Sequence, residues 1–191
     1  MTRYIIFAGL LIMAACKSKT TTDTGEKKNM DTVITTGKDT TTMTTPPDMG
    51  KVDLENFGPI KLGQLYSEAK KVLGHPDSKS KAIEWGADGL LHEDWTWKSK
   101  GLVMNMSSDK TNVEGTLAIF TITAEAPCDF KTKAGLGIGN SYAEVEAAYK
   151  KDIDPEATDK TQITVGSVYG GIIFSFKNDK VNSIFLGAQA E

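Results

Sequence analysis

Two stretches of this chain, 76 residues apart, carry the same pattern, and that repetition constrains the fold more than any other feature. The first runs Ile60-Lys-Leu-Gly-Gln-Leu-Tyr-Ser-Glu-Ala-Lys-Lys-Val-Leu-Gly-His-Pro76. The second runs Leu136-Gly-Ile-Gly-Asn-Ser-Tyr-Ala-Glu-Val-Glu-Ala-Ala-Tyr149. Ile60 answers Leu136, Leu62 answers Ile138, Gly63 answers Gly139, Tyr66 answers Tyr142 and Glu68 answers Glu144. Each copy reads as a short extended segment, a glycine turn and an amphipathic helix. In the first, Leu65, Ala69, Val72 and Leu73 fall on one helical stripe. Gly74 is placed to end that helix, and Pro76 prevents a restart. In the second, the stripe is Val145, Ala148 and Tyr149, and Ser141 with Glu144 has the spacing of a capping box.

Strand patterns follow each copy. Lys81 to Trp85 reads as a first strand and Gly86-Ala-Asp-Gly89 as a turn. Trp95 and Trp97 alternate with Asp94, Thr96 and Lys98; Leu102, Met104 and Met106 alternate with Val103 and Asn105. This is the period of a strand with one wet face, and it places both tryptophans in the core. Thr116 to Thr123 is a strand with Ala118, Phe120 and Ile122 on one side. After the second copy come Gln162 to Val165, then Ile172, Phe174 and Phe176 alternating with polar residues, the Asn178-Asp179 turn, and Val181 to Leu186. No helical pattern lies between successive strands, so the class expected is α+β: two tandem units, each a helix and an antiparallel meander, with helices on one face of the sheet. The units span about 57–128 and 129–191, within a domain over 53–191.

Upstream of residue 53 the composition changes. Arg3 precedes an apolar run from Ile5 to Met13, too short to span a bilayer, for which ~20 apolar residues are needed. Residues 1–15 therefore read as a signal peptide. From Thr20 to Thr45, twelve of 26 residues are threonine, and Pro46-Pro47 closes the run. Little there can be buried to offset chain entropy, so 16–52 reads as a disordered tether.

Two resemblances attach to this region. Ala14-Ala15-Cys16 resembles a bacterial lipobox, which implies cleavage before Cys16 and acylation of its sulfur. Lys17 follows, and the resemblance then implies the outer membrane, on either its periplasmic or its outer side. Asp31-Thr32-Val33 and Asp39-Thr40-Thr41 resemble an O-glycosylation acceptor of exported bacterial proteins, which implies modification at Thr32 and Thr40. With Cys16 acylated, Cys128 has no partner in the chain and reads as a buried small hydrophobe, with Asp129 beside it opposing thiolate formation.

The chemistry-bearing residues are few. The net charge of −3 provides no basic footprint for nucleic acid. His75, between a helix-ending glycine and a proline, reads as a solvated turn residue. His92 and Asp94 share one strand face, at most two ligands of a metal site. No Gly-x-Ser-x-Gly occurs, and Leu136-Gly-Ile-Gly lacks phosphate-binding spacing. No catalytic residue, metal or cofactor is expected. Because the sheet face opposite Trp95 and Trp97 carries Thr, Lys, Asn and Ser, recognition is assigned to loops: Gly86 to His92 with Leu90 and Leu91, and Gly166 to Gly171 with Tyr169.

Gly63, Glu68, Ala69, Leu73, Gly74 and Pro76 together resemble a motif of small outer-membrane lipoproteins of the SmpA/OmlA type and, more loosely, of tandem-repeat β-lactamase inhibitor proteins. The second copy departs from it, with Lys150 in place of the glycine and no proline. The resemblance implies a lipid-anchored, non-enzymatic module that binds an envelope protein. A small-molecule or glycan carrier, or a hydrolase, are the alternatives.

Overall fold

A computed structural model describes residues 56–188. The segments expected to be a signal peptide (1–15) and a tether (16–52), with Cys16, Thr32 and Thr40, lie outside the described residues. The fold is α+β, with eight strands in one antiparallel sheet. In chain order the elements are α1 (Tyr66–Leu73), β1 (Ser78–Lys79), β2 (Ile83–Glu84), β3 (Leu91–Trp97), β4 (Leu102–Ser108), the one-turn α2 (Val113–Thr116), β5 (Ala118–Glu125), α3 (Tyr142–Tyr149), β6 (Gln162–Ser167), β7 (Gly170–Lys177) and β8 (Lys180–Gly187). The sheet order is β1-β3-β4-β5-β8-β7-β6, and β2 also pairs with the outer edge of β3.

Alternation decides which side chains are buried. Trp95, Trp97, Leu102, Met104, Met106, Ile122, Ala124, Ile184, Leu186, Ile172, Phe174, Ile163 and Val165 form one cluster. The register joins them in rows across the sheet, Trp95↔Met104↔Ile122↔Leu186↔Ile172↔Val165 being one. The ring of Tyr66 meets that of Trp95 edge-on at 4.7 Å, and Tyr149 meets Phe174 at 5.7 Å. Each pair ties a helix to the sheet through large apolar surfaces.

The segments preceding the two helices make corresponding hydrogen bonds. Gly63 N–H donates to Ile119 O (2.7 Å), and Gly139 N–H to Val181 O (2.9 Å). Tyr66 N–H donates to Leu117 O, and Tyr142 N–H to Asp179 O. Ile119 N–H donates to Gln64 O, and Val181 N–H to Asn140 O. Even the side-chain bonds match: Gln64 Oε1 accepts from Lys61 N–H, and Asn140 Oδ1 from Gly137 N–H. Gly63 and Gly139 both have positive φ, +72° and +89°, which L-residues adopt at a cost.

Helix ends follow their sequence signals. Ser141 and Glu144 form both halves of a capping box. Leu65, at the corresponding place, makes no side-chain cap. Gly74 ends α1 at φ +74°, its N–H bonded to Lys70 O. Asn178 and Asp179, both at positive φ, form the two-residue turn between β7 and β8.

Four sequence expectations need correction. Val72 is 48% exposed, Leu65 39%, and Ala148 is exposed too. Each eight-residue helix fully buries only two positions, Ala69 with Leu73 and Val145 with Tyr149, so the outer members of each stripe stay wet. The strand expected over Lys81 to Trp85 is instead two two-residue strands, β1 and β2, interrupted at Ser80, Lys81 and Ala82. Leu91 and His92, expected in a loop, are the first residues of β3. Phe120 does not share a side with Ile122. A bulge opposite Asn105 and Met106 shifts the register, so Ile119 and Ile122 face the core and Phe120 faces away.

Candidate functional site

The two turns singled out from sequence lie at one end of the sheet. Strand β3 begins where β4 ends (Leu91↔Ser108), where β5 begins (Ser107↔Ala118) and where β6 turns into β7 (Ser167↔Gly170). The turns are not brought together. Five strand spacings of ~4.8 Å separate β3 from β6, roughly 24 Å.

The β6–β7 turn consists of Val168 and Tyr169 alone. Tyr169 is 66% exposed, and its N–H donates to Ser167 Oγ. Gly171 makes this turn possible: a Cβ there would lie 2.2 Å from Val165 O on the partner strand. The aromatic ring is thus carried on a tightly paired hairpin with six registered residue pairs behind it.

The β2–β3 turn is built differently. Trp85 N–H donates to Leu90 O, and Gly89 N–H, at φ +71°, donates back to Trp85 O. Asp88 Oδ1 accepts from Leu90 N–H. Leu90 and Leu91 are half-buried, so this turn offers less apolar surface than its sequence suggests. Leu91 shares the alternation of Trp95 and Trp97 and pairs with Ser108 and Glu84.

Beneath the turn, on the sheet face away from Trp95 and Trp97, lies a polar cluster the sequence reading did not assemble. His92 is 2% exposed. Its Nε2 is 2.9 Å from Asp88 Oδ2 and its Nδ1 is 2.6 Å from Asn105 Oδ1. The Asn105 amide nitrogen donates to Asp94 Oδ1 at 2.9 Å. Trp85 stacks on the His92 ring at 3.8 Å and 10°, and Phe120 meets both rings edge-on. The common face of His92 and Asp94 was legible from alternation. Asn105 was not, because the β3–β4 register brings it in, nor was Phe120, because the bulge turns it. The available signal was Asp88 four residues before His92 across a Gly-containing turn.

His75 is exposed beside Pro76. Among the described residues no group of three or more His, Cys, Asp or Glu side chains converges as metal ligands, and no helix is long and apolar enough to cross a membrane. Cys128 is buried, and burial first, with the neighbouring Asp129 carboxylate second, pushes its thiol pKa up. A protonated thiol is a poor nucleophile. A shallow open cleft at the other end of the sheet, between Thr96, Val103, Thr123 and Glu125, holds about 190 Å³. Small-molecule sites run to roughly 300–1,000 Å³.

No family model, no curated protein and no solved structure matches this chain.

Proposed function

We propose that this chain is a lipid-anchored, non-enzymatic envelope lipoprotein that binds a protein partner. The observation that carries the binding reading is Tyr169: a large aromatic, two-thirds exposed, on the tip of a hairpin whose backbone is held on both sides. Tyrosine on a pre-ordered support contributes contact area at low entropic cost, which is why it recurs as an interface anchor. The anchoring reading rests on Arg3, the short apolar run and Ala14-Ala15-Cys16. Acyl chains on Cys16 would hold the protein at the outer membrane without a spanning helix, at ~0.8 kcal/mol per buried methylene.

The finer architecture belongs to the same proposal. The chain is two tandem units related by a pseudo-two-fold axis normal to the sheet, passing through the Thr123↔Phe185 pair. Supporting it, Leu65↔Ala118 corresponds to Ser141↔Lys180, and Ile119 and Val181, 62 positions apart, accept from the matching glycines. The same offset of 62 exchanges Ile122↔Leu186 with Ala124↔Ile184, as a two-fold axis between β5 and β8 requires. The axis, though not the same offset, also carries Trp95↔Met104 onto Ile163↔Phe174 and Trp97↔Leu102 onto Val165↔Ile172, in the next strands outward. Both helices then cover one face.

Two experiments test the reading. Affinity capture from envelope extract with the wild-type chain and with Tyr169→Ala should lose the same partner in the variant; identical capture by both removes Tyr169 as the anchor. Replacing Cys16 with Ala should release the protein into the soluble fraction; a variant that stays with the membrane ends the lipoprotein claim.

A further inference from the structure

Among the described residues the β2–β3 turn has no counterpart in the other half of the sheet. Strand β6 is flanked instead by a backbone segment that contributes Asp152 O, Asp154 N–H and Asp159 N–H to its edge. What holds the turn down is therefore particular to it. Strand β2 is only two residues long, and both are exposed. Its side-chain attachments are the Lys110–Glu84 ion pair on the surface and the His92 cluster beneath.

Hydrogen-bond accounting in that cluster leads to one protonation state. Asp94 can only accept, so Asn105 must direct its amide nitrogen there and its oxygen towards His92. Asp88 also accepts. Both ring nitrogens of His92 thus face oxygen acceptors, and satisfying both needs N–H at each. A neutral imidazole has one N–H and leaves one of the two contacts, in a site 2% exposed, as a repulsion between lone pairs. Trp85, stacked on the ring, favours the cation as well.

We infer that His92 is a proton-dependent latch: as the imidazolium it fastens the Trp85–Leu90 turn to the sheet through Asp88, and on losing a proton it loosens its hold on that turn. The charged groups around it are Asp88 from the turn, Asp94 of β3 acting through Asn105 of β4, and the Glu84–Lys110 pair on the outer side of the hairpin. Ser107 of β4, paired with His92, and Phe120 of β5 carry no charge. The latch stands whether or not the turn contacts a partner.

The test is nitrogen-15 NMR of the labelled full-length chain from pH 5 to 9, with His75→Gln to assign the only other histidine. Both His92 ring nitrogens should carry protons at the acid end and lose one within the range. Protection factors of the Trp85 and Gly89 amides, corrected for intrinsic exchange, should fall about tenfold or more over the same interval, the scale of one lost charge-assisted bond. Asp88→Asn, at a carboxylate 31% exposed, should keep the fold and abolish that pH dependence. A His92 ring that holds a single proton throughout, or that titrates while both amides stay equally protected, overturns the latch.

Discussion

Three glycines separate the cost of a backbone conformation from the cost of a collision. Gly63 and Gly139 hold φ of +72° and +89°, and an added Cβ meets nothing within 4 Å at either. Replacing either with alanine imposes only the left-handed penalty, ~1–2 kcal/mol, reduced by the lower unfolded-state entropy of alanine to about 1 kcal/mol. Gly101, between β3 and β4, has φ +60° and a different environment. Its Cβ would lie 2.1 Å from Glu125 O, with Cys128 N and Pro127 N inside 3 Å. All three are backbone atoms, and Gly101 O itself accepts from Glu125 N–H at 2.9 Å. No rotamer change relieves that overlap; the start of β4 must move away from the end of β5, breaking the Leu102↔Ala124 pairing. Gly101→Ala should therefore cost roughly 3 kcal/mol or more, in the range reserved for clashes and broken networks. In urea, at an m-value of about 2 kcal/mol/M, the midpoint falls by about 0.5 M for Gly63→Ala and for Gly139→Ala, and by about 1.5 M or more for Gly101→Ala. Equal shifts for Gly101→Ala and Gly63→Ala would refute the collision argument. Unequal shifts for Gly63→Ala and Gly139→Ala would count against treating the two segments as equivalent.

Other perturbations read other parts of the molecule. Ser141→Ala removes the hydroxyl that caps α3 and should lower stability by about 1 kcal/mol by denaturation, whereas Leu65→Ala, at an uncapped start, should cost less through the cap. The Glu144 carboxylate accepts from the Ser141 N–H first, then from the Ser141 hydroxyl and Asn140, and its pKa lies below the ordinary glutamate value. A depressed folded value means the contribution is full above the ordinary range and is lost as pH falls through the folded value; Glu144→Gln should flatten that acid-side decline in melting temperature. Cys128, buried and held protonated, should resist a maleimide in the native chain and react on unfolding; rapid native labelling would show that the thiol is reachable.

What the sequence determined by itself was local. Alternation in Leu102-Val-Met-Asn-Met106 marked a one-sided strand because successive side chains must point to opposite faces. Ser141 and Glu144 announced a helix start, and Asn178-Asp179 a two-residue turn, because each follows from the conformational and hydrogen-bonding preferences of a few neighbouring residues. The matching of Gly63 with Gly139 was visible as repetition, and the two residues make matching backbone bonds.

Tertiary structure decided what no short window contains. The β5–β8 junction depends on two strands more than fifty residues apart meeting edge to edge. Phe120 left the side assigned by simple alternation because the bulge exists only in the pairing of β4 with β5. Val72 stayed in solvent because so short a helix meets the sheet along a narrower line than its apolar stripe. His92 acquired a second oxygen only when the register set Asn105 of the neighbouring strand beside it. Periodicity tells which side of its own strand a residue takes; which neighbour stands there is set by non-local pairing, and the chemistry of this molecule's polar cluster is a product of that pairing.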